Sequence, residues 1–147
     1  MIILGDKIGK EFKTFDRRIK VAIMNRANKR IAQEFVKQLK RELLSQGLMD
    51  TGELYDSIDY KHIGRGVYTI NMKRYGIALD SMRPHWVSLK PGRRITQWAE
   101  RNFGFMPPSK GASVYVHPHP WIDNAFIRAV NNIDPILHME IDRVLVR

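Results

Sequence analysis

The stretch GLMDTGELYDSI (residues 47–58) separates two kinds of hydrophobic pattern. Before it, from Lys10 to Gln46, there is no Gly or Pro. Apolar side chains recur at three- and four-residue spacing through Ile8, Phe12, Phe15, Ile19, Ile23, Ala27, Ile31, Phe35, Leu39 and Leu43. That period predicts one amphipathic helix from near Asp6 to Gly47, with Lys13, Arg17, Lys20, Lys37, Lys40 and Arg41 on its polar faces. After the stretch, Ile58, Tyr60 and His62 alternate with Asp59, Lys61 and Ile63, and GRG (64–66) turns the chain into residues 67–72. Two period-two runs about a glycine turn predict an antiparallel hairpin. The junction itself is turn chemistry. Gly47 and Asp50 stop the helix, and Asp50 with Glu53 has the spacing of a capping box. Gly52 allows a tight bend, Leu54 and Ile58 point to the core, and Ser57 can bond local backbone.

The helix poses a problem of length. About 40 residues at ~1.5 Å each span ~60 Å, whereas a compact chain of this size measures roughly 40 Å across. Either the helix breaks, with MNRAN (24–28) as the natural place, or its stripe continues onto a neighbouring subunit. Assembly is the favoured expectation, with Phe12, Phe15, Ile19 and Ile23 as the interface residues.

Beyond the hairpin, residues 75–79 are expected to add a short strand and residues 80–93, with two prolines, a loop. A short helix is expected over residues 95–102, with Ile95, Trp98 and Ala99 inward, then a second loop and a strand over residues 113–117. Pro120 suits a first helical turn, where its missing N–H has no intrahelical partner. The helix it opens carries Trp121, Ile122, Ala125, Phe126, Ala129 and Val130, and NNIDP should make it kink or restart, with Asp134 as cap and Pro135 as first residue. The whole predicts one α+β domain over residues 1–147. A long N-terminal helix (1–47) and a C-terminal helix (118–147, kinked near Pro135) pack on a small antiparallel sheet, with hairpin, basic loop and one short middle helix between (48–117).

A chain of 147 residues with 44% hydrophobic and 27% charged residues is expected to fold as one globular domain. Its uncharged runs are too short for a membrane span and its first ten residues do not form a signal peptide, so an intracellular protein is expected. No cysteine is present, which excludes disulfides, thiolate metal sites and cysteine nucleophiles. The formal charge is +10, concentrated in residues 61–110, where 10 basic residues meet 2 acidic ones. Such a field suits a polyanionic neighbour, nucleic acid above all, although many basic domains carry charge for solubility alone.

With these residues in view, DTGELYDSI resembles the T-G-x-L-x-x-S-I signature of the small head-to-tail joining or tail-completion proteins (neck and minor tail proteins) of long-tailed bacteriophages, prophages and gene transfer agents. Thr51, Gly52, Leu54, Ser57 and Ile58 match it. Tyr75, Leu79 and Asp80 are similar to a second segment of that family, with Gly76 where alanine is usual and Asp80 where glutamate is usual. Pro120, Trp121, Ile122 and Ala125 are similar to a third, with tryptophan in place of the commoner phenylalanine. The resemblance implies a structural virion protein without chemistry or cofactor, assembled in the host cytoplasm. It would be a homo-oligomeric ring at the neck or tail end, contacting neighbouring neck and tail proteins, through which DNA passes. A ring needs two complementary patches per subunit. If residues 80–94 rim the channel, Arg83, Lys90, Arg93 and Arg94 would face packaged DNA without sequence preference. Solvated loop charges, or a partner's acidic residues, are the plainer readings of the same side chains.

Other chemistries are poorly supplied. His117 and His119 could offer two metal ligands, but His62, His85 and His138 stand far off in sequence and no third ligand has metal-site spacing. Trp86, Trp98 and Trp121 suit core or interface anchors better than a base-stacking platform. No nucleophile elbow, phosphate-cradling glycine loop or close carboxylate pair is present, so no enzyme, small-molecule substrate, metal or membrane partner is expected. The alternative reading is a non-enzymatic basic nucleic-acid-binding domain.

Overall fold

The computed structural model describes residues 4–48, 51–81, 85–88, 96–97, 101, 113–117 and 119–146. The chain is α+β. It opens with a long helical run: α1 (Leu4–Val21), a π-helical segment (Ala22–Ala27) and α2 (Asn28–Ser45). A short α3 (Glu53–Ser57), an antiparallel hairpin β1 (Asp59–Gly64) and β2 (Val67–Asn71), and α4 (Arg74–Ser81) follow. A second antiparallel pair, β3 (His85–Ser88) and β4 (Ser113–Val116), precedes the C-terminal helices α5 (Trp121–Val130) and α6 (Ile133–Leu145).

The expected break in the long helix is a change of winding. The π turns at residues 22–27 overlap the MNRAN position, and the flanking Val21 and Asn28 keep right-handed helical dihedrals. Three elements meet there. Ala22 and Ala27 are fully buried, α6 packs along the segment, and the hairpin turn rests on it. Asn28 Nδ2 donates to Gly66 O at 2.9 Å. A Cβ on Gly66 would fall against the backbone carbonyl of Met24, so only glycine lets the turn approach this closely. Gly66 and Arg65 also hold positive φ (75° and 46°), as a tight hairpin turn of type I′ requires.

α2 ends as the sequence foretold. Gly47 has φ 63°, Leu48 N–H donates to Leu43 O (3.0 Å) and Gly47 N–H to Leu44 O (3.2 Å). Those two bonds make a Schellman cap, and Leu48 folds back on the core it closes. The core lies between α2, α3 and α5: Leu39, Leu43, Leu54, Ile58, Trp121 and Ala125, with Val36, Ile70, Leu79 and Ile122 around them. The hairpin pairs Tyr60 with Ile70 and His62 with Tyr68. Its aromatic face turns toward α2, where Gln33 Nε2 donates to Tyr60 Oη at 3.1 Å.

Three local expectations are corrected. Residues 75–79 are helical, not a strand. Gly76, Leu79 and Asp80 stand three and four apart, and in α4 that spacing turns all three toward α5, so packing overrides the apolar run. Residues 85–88 lie in an expected loop yet pair with β4, Trp86 opposite Tyr115 and Val87 opposite Val114, because aromatic and β-branched residues meet across the ladder. The C-terminal helix stops at Val130 and restarts at Ile133 with Asn132, not Asp134, at the cap position. Asn132 turns its amide to Glu34 Oε1 (2.8 Å), so α6 begins with no side-chain cap and Pro135 sits within its first turn. Of the expected helix at 95–102, Thr96, Gln97 and Arg101 are described, and all three are helical.

Candidate interaction surface

The motif residues, scattered over seventy positions of sequence, meet in one place. Gly52 takes φ 80° and its carbonyl accepts from Asp56 N–H (2.9 Å), opening α3. Thr51 Oγ1 accepts from Glu53 N–H at 3.4 Å. Asp50 lies outside the described residues, and with it the expected capping box; the Glu53 carboxylate pairs with Lys73 Nζ (2.6 Å). Ser57 links two elements: its hydroxyl donates to Leu54 O (2.7 Å) and accepts from Lys73 N–H (3.1 Å). Leu54 and Ile58 are buried.

The second and third segments interlock with the first. Trp121 is fully buried, and its indole N–H donates to Gly76 O at 3.1 Å. Asp80 Oδ1 accepts from Ile122 N–H at 2.7 Å. Thus α5, whose own Pro120 offers no side-chain cap, is capped by a carboxylate from α4. A Cβ on Gly76 would stand 2.6 Å from Leu54 Cδ1 and 3.3 Å from Trp121 Cζ2. Two of the three departures from the pattern the chain resembles, glycine for alanine and tryptophan for phenylalanine, therefore occupy the same space. The larger ring fits because the smaller residue faces it. Ala125 is fully buried beneath them, while Tyr75 and Pro120 lie on the outer side. The ensemble is a structural brace.

The proposed contact surface is α1. Every side chain from Glu11 to Arg18 is exposed. Phe12 is 69% exposed and Phe15 39%. Ile19 and Ile23 are half-buried, as the stripe runs under α6. The four candidate interface residues thus divide: two are open and two are partly covered by the chain's own C-terminal helix. Arg83, Lys90, Arg93 and Arg94 lie outside the described residues, as does Trp98. Trp86 is exposed on β3 against Tyr115 (5.1 Å between ring centres), and Tyr115 meets His117 edge-on at 4.8 Å.

Buried charge escaped the sequence reading. Glu140 is fully buried on α6 and faces three guanidinium groups, Arg30 (2.8 Å), Arg143 (3.0 Å) and Arg26 (3.9 Å). Glu42 is buried on α2, paired with Arg128 of α5 (2.9 Å) and accepting from Gln46 Nε2 (3.1 Å). Each glutamate occupies an apolar-stripe position, Glu42 beside Leu39 and Leu43, and Glu140 between Leu137 and Val144. That placement was the available signal. Glu34 is a milder case. Its partial burial would raise its carboxyl, but hydrogen bonds from Gln38 (2.6 Å) and Asn132 (2.8 Å), with Lys37 beside it, outweigh burial and hold it below the usual 4.5.

Among the described residues no three His, Asp or Glu side chains converge as a metal site, and no helix is long and apolar enough to cross a membrane. Comparison of the chain with protein-family models, with curated proteins and with solved structures gave no match in any of the three.

Proposed function

We propose that the chain is a structural virion subunit of a bacteriophage or prophage, a head–tail connector or tail-completion protein that assembles into a ring at the neck or tail end through which DNA passes. One observation carries the assembly: α1 holds an apolar stripe that no described element of its own chain covers beyond Ile19. Burying a phenylalanine stabilises by about 1.5–3 kcal/mol, so Phe12 and Phe15 offer a neighbour several kcal/mol. The ordered resemblance of residues 51–58, 75–80 and 120–125 supplies the virion context, and the brace these residues build gives that order a physical basis. The work is done by shape, with the basic charge suited to passing phosphates.

The test is the oligomeric state of the purified chain by light scattering on a size-exclusion column, with and without Phe12→Ser and Phe15→Ser. The pair should abolish the assembled species and leave the thermal midpoint of the monomer within a few degrees, since both side chains are exposed. Removing residues 1–24 should also abolish it, and a phage strain lacking the protein should yield full capsids beside unattached tails. Wild-type chain that stays monomeric at all concentrations, or a double variant that assembles normally, refutes the reading. The formal charge of +10 keeps a basic nucleic-acid-binding domain as the second reading. It requires submicromolar duplex binding that survives the truncation and is lost with Arg93→Glu and Arg94→Glu.

A further inference from the structure

Where α1 runs into the π segment, a cavity of about 240 Å³ opens between the long helix and α6, lined by Arg17, Arg18, Arg26, Arg143, Val21 and Val144. Four of its six lining residues are arginine. We infer that this cleft is a binding site for a phosphoryl oxyanion, a group that no part of the assembly reading requires.

The charge balance points to an anion. The buried carboxylate beside the cleft is Glu140, and it already serves three guanidinium groups, one of them Arg30 from outside the lining. Asp16, on α1, is taken by Lys20 at 2.8 Å. Asp142 is exposed and lines the adjoining face of α6, with His138 and Met139. Arg18 spends one donor on Val144 O (3.4 Å) at the end of α6. Arg17 makes no hydrogen bond or ion pair among the described residues. Several positive groups therefore share one small space with a single buried negative one, an arrangement that repels itself until a counter-charge enters.

Geometry favours phosphate over carboxylate. The arginines come from two directions, the continuous run of α1 and the π segment, and α6. A planar carboxylate is satisfied by one fork, whereas a tetrahedral phosphoryl group presents several oxygens in divergent directions and carries up to two charges. Glu140 also prepares the site. It holds Arg143 by a 3.0 Å hydrogen bond, so that this side chain is ordered before an anion arrives, while Arg26 stands 3.9 Å from its other oxygen; each guanidinium has five N–H donors. Val21 and Val144 make part of the wall apolar, which strengthens a charge-assisted bond formed there.

The phosphoryl group could belong to free pyrophosphate or to a polynucleotide backbone, and the experiment separates the two. Full-length protein is titrated with pyrophosphate, with a 20-base-pair duplex and, as control, with acetate at equal ionic strength, reading thermal midpoint and calorimetric affinity. Pyrophosphate should raise the midpoint by roughly 4 °C or more at saturation, and acetate should not. Arg17→Ala with Arg18→Ala, side chains not holding Glu140, should weaken pyrophosphate roughly tenfold or more, while Arg41→Ala with Lys61→Ala, equal in charge and away from the cleft lining, should change it less than twofold. If the backbone is the ligand, the duplex binds in competition with pyrophosphate and loses affinity in the same arginine variant. Pyrophosphate binding without duplex competition assigns the site to free phosphate compounds. An unmoved wild-type midpoint, an equal effect of acetate, or equal losses in the two double variants overturns the site, and the wild-type titration decides even if the arginine variant folds poorly. Phe12 and Phe15 remain intact throughout, so a failure here is distinct from a failure to assemble.

Discussion

Exchanging Gly76 and Trp121 for the residues usual in the family it resembles tests whether the two departures compensate. Take Gly76→Ala first. Within α4 an alanine gains about 1 kcal/mol of helix propensity, but its Cβ would stand 2.6 Å from Leu54 Cδ1 and 3.3 Å from Trp121 Cζ2, both in the buried core. Overpacking of that kind costs about 1–3 kcal/mol, leaving a net loss of about 1 kcal/mol. Trp121→Phe removes the indole N–H bond to Gly76 O, about 1 kcal/mol. It also vacates space beside a fully buried position, for about 1–2 kcal/mol more. Additive behaviour would put the double variant about 3–4 kcal/mol below wild type. In the double variant, however, Leu54 can retreat into the space the indole leaves and the new methyl fills the rest, so a loss of about 2 kcal/mol is expected. Urea unfolding followed by circular dichroism at 222 nm, which does not depend on tryptophan fluorescence, gives all four corners of the cycle. A coupling energy below about 0.5 kcal/mol is within ordinary additivity and would refute the claim that these residues share one space.

Gly66→Ala should destabilise by about 2 kcal/mol or more, since it strains a left-handed turn and drives a methyl group into the Met24 carbonyl. The same unfolding assay reads it, and a Gly64→Ala variant, whose Cβ meets nothing nearby, isolates the backbone strain. Asp80→Ala should cost about 1 kcal/mol by uncapping Ile122 N–H, and Asp80→Asn, which keeps an acceptor, should recover most of it. Glu34 bears on acid stability. Its carboxyl is lowered in the folded chain, so its contribution is fully present above the unfolded value near 4.5 and is lost as pH falls through the lowered folded value. The stability gap between wild type and Glu34→Gln should therefore be constant from pH 7 to about 5 and close below 4.5. A gap that widens in acid would contradict the hydrogen bonds from Gln38 and Asn132 as its source.

What could be read in the sequence was what the chain decides locally. The stripe from Phe12 to Leu43, the Gly47 stop and the GRG turn each rest on neighbours within four residues, and the structure has helix, cap and hairpin at those places. The errors fall where a distant partner decides. Residues 75–79 are a short apolar run equally fit for strand or helix, and α5 settles the matter through Gly76 and Asp80. Residues 85–88 become a strand only because residues 113–116 lie beside them. Asp134 was the expected cap, but Asn132 takes the cap position, its amide turned to the Glu34 carboxylate nearly one hundred positions earlier. The arginines of the cleft were visible one by one. Their convergence depends on α6 crossing the π segment, and the cue to that crossing was a glutamate at position 140 where the stripe calls for an apolar residue.

The exposed part of α1 follows from how the rest of the long helix is covered. The hairpin and α5 lie on α2, and α6 lies on the π segment. Phe12 stands eleven residues before Ile23, ~16 Å along a helix, beyond the reach of those described elements. An apolar stripe maintained past the last covering element costs solubility unless something else buries it. The amphipathic pattern does not weaken there: Phe12, Phe15 and Ile19 stand three and four apart, and Ile31, Phe35 and Leu39 four apart, all helical spacings. A helix meant only to trail in water would gain by losing its phenylalanines. The same residues also bear Lys10, Lys13 and Arg17 on other faces, so a neighbour that covers the stripe leaves the cationic faces, and the cleft at their foot, open to an anion. Assembly through one face and phosphate contact through another are thus compatible on one helix: the serine variants at positions 12 and 15 should abolish assembly and spare phosphate binding, and the alanine variants at positions 17 and 18 should weaken phosphate binding and spare assembly.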